Sequence, residues 1–287
     1  RKMIPEASAE TSSATQFQTA TFPIMYLQLG NDYTINTLHG YSSELNSSSV
    51  RESITPLSED KSFYVKIKEN KLKIKKLTYN LKDIANNKTI ETNNLTAFDL
   101  KNGYKTLKIK LSESIDTSTE YGMDFTLTTS MSKKIHFYTR IKYYDTDFFL
   151  KQKMDFVNNF HNATFSNGKK FKYMNYLESN ASNNSSYANV DINSSPELIT
   201  WGKLNPKIIS ETVPTIKEIN VETAAIQYQY YVRAKTSSSN ETFLVKEFYR
   251  VRYSGGRIYL LYFKRNMEAD FNPKLISTKK SQFKLGI

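Results

Sequence analysis

Residues 243–263 read FLVKEFYRVRYSGGRIYLLYF, and this stretch decides the fold. Phe243, Val245, Tyr249, Val251 and Tyr253 recur in one phase of a two-residue period, which lines one face of a strand. Ser254-Gly255-Gly256 then marks a tight hairpin turn, because adjacent glycines supply the positive φ such turns need. A second apolar run, Arg257 to Phe263, follows at once. Upstream, Ile226, Tyr228, Tyr230 and Val232 alternate with Gln227, Gln229 and Tyr231. Together these runs predict an antiparallel meander.

Working toward the N-terminus, the period changes once. Phe149, Leu150, Met154, Phe156, Val157 and Phe160 recur at helical spacings. They predict a helix over about 147–165, with Asp145 or Thr146 as N-cap and Asn167-Gly168 at its end. Laid across the meander, that helix buries its apolar stripe on one face of the sheet. Residues 146–287 are therefore expected to form an α+β domain. The run SNASNNSSYANVDINSS at 179–195 predicts a long, mobile polar loop within it.

Residues 22–145 keep the period of two. Phe22 to Gln28 is a short apolar run that meets a turn signal at Gly30-Asn31-Asp32. Phe63, Val65 and Ile67 form one half-buried strand, and Glu69-Asn70-Lys71 turns the chain into the next. There Leu72 and Ile74 hold one phase while Leu77, Tyr79 and Leu81 hold the other, which predicts a bulge near Lys75-Lys76. Leu107, Ile109 and Leu111, then Phe125 and Leu127, continue the pattern. Ile135, Phe137, Thr139 and Ile141 close it, opposite His136, Tyr138, Arg140 and Lys142. Short strands at this spacing predict an antiparallel β-sandwich. Residues 42–58 are polar and Ser-rich, and Thr55-Pro56 argues against a continuous helix there. Residues 1–21, rich in Ser, Thr, Ala and Gln, read as a flexible stalk, and a start at Arg1 fits a processed fragment. The expected class is mainly β with an α+β second half.

Composition narrows the chemistry. With 287 residues and 39% hydrophobic content the chain can bury a core. It has no Cys, which excludes disulfides, thiolate metal sites and a Cys nucleophile. Three His (His39, His136, His161) leave little for a His-rich metal centre, and no run reaches about 18 apolar residues. The net charge is +12.

The order of several motifs is distinctive. Leu38-His-Gly-Tyr41 and Thr55-Pro-Leu57 come first, then Phe137-Tyr-Thr-Arg-Ile141 before the helix. Asp155-Phe-Val-Asn-Asn-Phe-His161 follows with Thr164-Phe165, then Thr200-Trp-Gly202. Phe248-Tyr-Arg-Val-Arg-Tyr253, Arg257-Ile-Tyr-Leu-Leu261 and Leu285-Gly-Ile287 complete the set. In this order they resemble the extracytoplasmic N-terminal region of a large, uncharacterised membrane-anchored protein family of Gram-positive anaerobes. The resemblance implies a short cytoplasmic tail, one transmembrane helix, this region, and a further β-rich part beyond it. It brings no catalytic residues.

Candidate chemistry is sparse. His161 pairs with Asp155 or a sheet carboxylate if it is a general base, and is a helix-end histidine otherwise. His136 and His39 lack a second ligand at metal spacing. Glu178, Asp191 and Glu197 flank the polar loop as possible Ca²⁺ ligands, without the dense Asp-x-Asp spacing of a calcium loop. No phosphate loop, serine elbow or HExxH pattern occurs. No cofactor or metal is expected. Lys66, Lys68, Lys71, Lys73, Lys75 and Lys76 cluster in one expected hairpin, and Lys105, Lys108 and Lys110 in a later strand. Lys169, Lys170 and Lys172 follow the helix, and Lys279, Lys280 and Lys284 close the chain. Such lysines guard sheet edges or meet a polyanion.

Six residues are the candidate partner surface: Tyr231, Tyr259 and the lone Trp201, with Lys73, Lys75 and Lys76. The expected protein is a non-enzymatic extracytoplasmic scaffold or interaction module of a membrane-anchored envelope protein. Its expected partners are anionic wall polymers, lipid head groups or another envelope protein, and no nucleic acid. The alternatives are a ligand-binding module for glycan, peptidoglycan fragment or peptide, and then a carboxylate-dependent hydrolase.

Overall fold

The computed structural model describes residues 22–30, 33–166, 168–180, 186–237 and 239–270. The expected stalk, the lysines at 279, 280 and 284 and the end at 285–287 lie outside the described residues, as do 31–32 of the first turn signal and 181–185 of the polar loop. Among the described residues the fold is mainly β, with largely antiparallel sheets and one substantial helix. Two compact units divide the chain.

In the first unit, strands β1 (Ile24–Leu29), β2 (Tyr33–His39), β3 (Ile54–Leu57), β4 (Ser62–Lys68) and β5 (Ile74–Asp83) come first. Then come β6 (Lys88–Leu95), β7 (Asp99–Lys101), β8 (Tyr104–Lys110), β9 (Glu120–Thr129) and β10 (Lys134–Tyr143). They form two sheets, β2-β1-β4-β8-β7 and β3-β10-β9-β5-β6. The alternating apolar phases meet between the sheets, where Phe63 on β4 and Phe125 on β9 pack edge to face at 6.3 Å. The phase conflict in β5 is resolved by a bulge: Ile74 opposes Thr129 while Lys76 opposes Thr128, leaving Lys75 as the extra residue.

Three features depart from the sequence reading. The Thr55-Pro56 stretch is a strand, β3, and it runs parallel to β10. β10 is covered on both faces, because the Ser-rich segment before β3 folds over its outer side. Leu45 N–H donates to the Tyr138 hydroxyl at 2.6 Å, and Arg140 donates to the carbonyls of Val50 and Ser48. The expected Lys hairpin is a crossover, since β4 and β5 belong to different sheets and Lys73 lies in the connection. Both strands are interior, so their lysines do not guard an edge.

The chain then enters the second unit through α1 (Leu150–Thr164), β11 (Asn189–Asp191), a single helical turn at Pro196–Ile199 and β12 (Lys207–Ile208). The helix starts later than the expected 147, and neither Asp145 nor Thr146 caps it. Phe149 takes the N-cap with φ 54°, placing its ring 4.9 Å from Tyr253. Nor is the Ser/Asn run wholly loop, because β11 pairs antiparallel with β16. The second half is not continuous either: Val213–Val221, including β13 (Thr215–Ile219), belongs to the first unit. Asn36 in β2, fully buried with φ 55°, holds it there. Its amide donates to Ile54 O at 2.8 Å and its carbonyl accepts from Ile216 N at 2.9 Å.

The second unit closes with β14 (Thr223–Lys235), β15 (Asn240–Ser254) and β16 (Arg257–Ala269), ordered β11-β16-β15-β14-β12. Gly255 and Gly256, at φ 60° and 74°, make the two-residue turn between β15 and β16. α1 packs on one face of this sheet through Phe160, which touches Tyr249 at 5.7 Å and Phe263 at 5.2 Å.

Asn36→Ala leaves the Ile54 carbonyl and the Ile216 amide unpaired in the core, at about 1–3 kcal/mol each. Urea unfolding followed by circular dichroism is expected to show a loss of about 3 kcal/mol; an unchanged midpoint would remove Asn36 from this role.

Candidate functional site

The sheet of the second unit carries polar groups on both faces, and the two faces behave oppositely. On the inner face, under α1, Glu247 is fully buried. Burial alone raises a carboxyl's pKa, yet the charge and hydrogen bond of His161, the nearby Arg265 and the Tyr230 hydroxyl outweigh it. Together they hold Glu247 below the ordinary carboxylate range. His161 Nδ1 lies 2.9 and 3.0 Å from the two carboxylate oxygens. Tyr249 donates to Oε1 at 2.5 Å, and Tyr230 donates to Oε2. Burial first, and the Glu247 charge second, push both phenols well up, so they stay protonated donors. Tyr228 stacks on the His161 ring at 4.4 Å and donates to Asn158 Oδ1.

Arg265 sits directly opposite Glu247 on β16 and is also fully buried. Its guanidinium donates to Ile199 O at 2.7 Å and Leu198 O at 2.8 Å, the carbonyls of the single helical turn. Its flat face lies 3.4 Å from the centre of the Trp201 ring. Trp201 itself has φ 67°, a strained setting for a bulky residue, which this stack and Phe165 at 5.7 Å hold in place. The sheet carboxylate anticipated for His161 is thus Glu247, and tyrosines enclose the pair. It pins the helix and the Trp201 turn to the sheet.

Trp201 is therefore not surface: its ring is 1% exposed. The turn it anchors borders a shallow cleft of about 850 Å³, lined among others by Phe165, Pro196, Glu197, Thr200 and Lys203. Among the described residues Glu197 is the only carboxylate of the lining. Asp191 turns inward on its own loop, accepting from Asn193 N at 2.9 Å. Among the described residues no cluster of three or more His, Asp or Glu is arranged to hold a metal.

The other candidates scatter. Lys73 and Lys75 are exposed and Lys76 half-buried, all in the first unit. Tyr231 is half-buried on the outer face of β14, where its backbone pairs with Ile209 and Ser210. Tyr259 is 41% exposed on the outer face of β16. Around it the outer face is open: Tyr262 is 40% exposed, and Leu261, the bulge residue where β16 slips against β15, is 44% exposed. Cross-strand rows place Arg252 beside Tyr259, Arg250 beside Tyr262 and Phe248 beside Lys264. This face brings exposed rings and cations together, and it is the candidate interface.

Sequence reading missed Glu247 and Arg265. The signal was present, since Glu247 falls in the Val245–Tyr249 phase and Arg265 in that of Phe263. A charge in a buried phase needs a partner, and His161 on the facing helix stripe was the available one.

Because the Glu247 pKa is depressed, its stabilisation is present above the ordinary value of about 4.3 and is lost as pH falls through the folded-state value. Glu247→Gln is expected to cost about 3–5 kcal/mol at neutral pH and to flatten the acid limb of stability against pH. Parallel acid limbs in both proteins would contradict the assignment. Trp201→Ala is expected to lower stability by about 3–5 kcal/mol, measured by urea unfolding, and a stability unchanged from wild type would return Trp201 to the surface.

No protein-family model matches the chain, and a search of curated proteins finds no match either.

Proposed function

We propose that this chain is a non-enzymatic interaction module from the extracytoplasmic part of a membrane-anchored cell-envelope protein. The observation that carries the reading is the division of labour in the second sheet. Its acid–base groups are consumed in holding α1 and the Trp201 turn, whereas its outer face exposes Tyr259, Leu261 and Tyr262 around the bulge. An open aromatic patch of this kind on a β-sheet serves contact better than turnover. The envelope setting rests on the resemblance in motif order, and the membrane surface and wall polymers are its anionic neighbours.

A second reading, a binding module for a glycan, peptidoglycan fragment or peptide, is favoured by the cleft beside Glu197, whose volume of about 850 Å³ suits a short oligomer. A carboxylate-dependent hydrolase draws less support, because among the described residues Glu197 has no second carboxylate across that cleft.

The test is retention. The purified chain is expected to sediment with envelope fragments from a Gram-positive anaerobe, and the triple variant Tyr259→Ser, Leu261→Ser, Tyr262→Ser to lose about tenfold in affinity, about 1.4 kcal/mol, with its melting temperature unchanged. Retention equal to that of the unaltered chain would remove the outer face from the function.

A further inference from the structure

The outer face of β14–β16 has a charge pattern as well as an aromatic one. Arg250, Arg252, Lys246 and Lys264 are all exposed on it. Arg252 is within 3.4 Å of Glu222, but Arg250, Lys246 and Lys264 have no carboxylate partner among the described residues. Glu268, opposite Leu244, stands at the far end of the face, away from the Arg250 row. Arg250 and Arg252 are two residues apart on one strand, a spacing of about 6.8 Å. Lys264 and Tyr262 continue the same face on β16. The result is a row of exposed cations flanked by apolar ring surface, in which Arg252 shares its charge with Glu222 while Arg250, Lys246 and Lys264 keep theirs.

We infer that this face binds an extended, phosphate-linked polyol or saccharide polymer. The inference rests on the interaction-module reading and names its partner. Cations repeated along a strand meet successive phosphates of a single extended chain, and the guanidinium groups of Arg250 and Arg252 suit phosphate oxygens. The rings distinguish a sugar or polyol from a nucleobase. Phe248 and Tyr262 lean on each other at 6.1 Å and 58°, and the Arg257 guanidinium lies 5.7 Å above the Tyr259 ring. Base stacking needs open ring faces. Phe248 and Tyr262 are tilted rather than parallel, so they do not form a run of stacked platforms, and their exposed flanks still give C–H surfaces of polyols and sugars apolar area to pack on. On the first unit, by contrast, Lys66 is drawn onto the Tyr104 ring at 4.1 Å, so ring and cation there satisfy each other.

Lipid-free poly(glycerol phosphate) is the probe, titrated against the whole chain at 50 and 200 mM salt. With about four phosphates engaged, affinity is expected to fall about 50-fold across that range. Arg250→Glu with Lys264→Glu is expected to weaken binding at least tenfold at low salt. The charge-matched pair Lys68→Glu with Lys110→Glu, exposed on the first unit, is expected to change it less than about threefold by the screening argument. Equal losses in the two pairs, salt-independent binding, or tighter binding of oligo-thymidylate than of poly(glycerol phosphate) would overturn the inference. Retention on envelope fragments stripped of phosphate polymer would overturn it while leaving the interaction reading intact, and no retention on any envelope fraction would overturn both.

Discussion

The second unit depends on one constraint: a carboxylate removed from water must find all its partners within the protein. Glu247 meets it with an imidazole from α1 and two phenols from its own sheet, and Arg265 stands directly across the strand pair. Arg265, buried in turn, must spend its donors, and the carbonyls at Leu198 and Ile199 take its two terminal nitrogens while Nε is left without a hydrogen-bond partner. The Trp201 ring then covers the guanidinium. A chain of obligations therefore runs from helix to sheet to a single helical turn, each link forced by the cost of leaving the previous one unpaired. Such networks fix position more than they add stability, since a buried ion pair recovers little beyond its own desolvation. Hydrophobic contact around Phe160 supplies the adhesion, and the polar network sets the register.

What the sequence made legible follows the strength of each periodic signal. The β15–β16 hairpin was plain because Gly255-Gly256 interrupts two apolar phases, and the β5 bulge was plain because those phases disagree across Lys75. The helix was found, but its start was misjudged, because Phe149 enters a left-handed conformation that no local pattern announces. β3 was hidden by its proline and its parallel pairing, and the return of Val213–Val221 depends on one asparagine far away in the chain. The site was harder still. The exposure of Tyr259 was legible because its phase is polar, whereas Trp201 was assigned to the surface for want of any sign that Arg265 covers it. Long-range partnership is what single-sequence patterns lack.

The same sheet thus does two things with one set of strands. Alternation sends Glu247, Tyr249 and Arg265 inward and Phe248, Arg250 and Lys264 outward, so neighbouring residues serve opposite purposes. The bulge at Leu261 keeps this arrangement aligned. By absorbing one residue it returns Tyr259 to the side of Tyr262, widening the outer patch by a row.

The capture of Val213–Val221 by the first unit has a consequence for how the protein is made. The earlier sandwich is not complete when its ten consecutive strands have left the ribosome, because the segment pinned by Asn36 is still unsynthesised. α1 and the Trp201 turn emerge in between, and they too must wait, since β14–β16 come last. Residues 149–212 therefore spend that interval as a tethered loop whose closure costs entropy only logarithmically with length. Its polar Ser/Asn run suits a segment that must stay solvated until the sheet it belongs to exists.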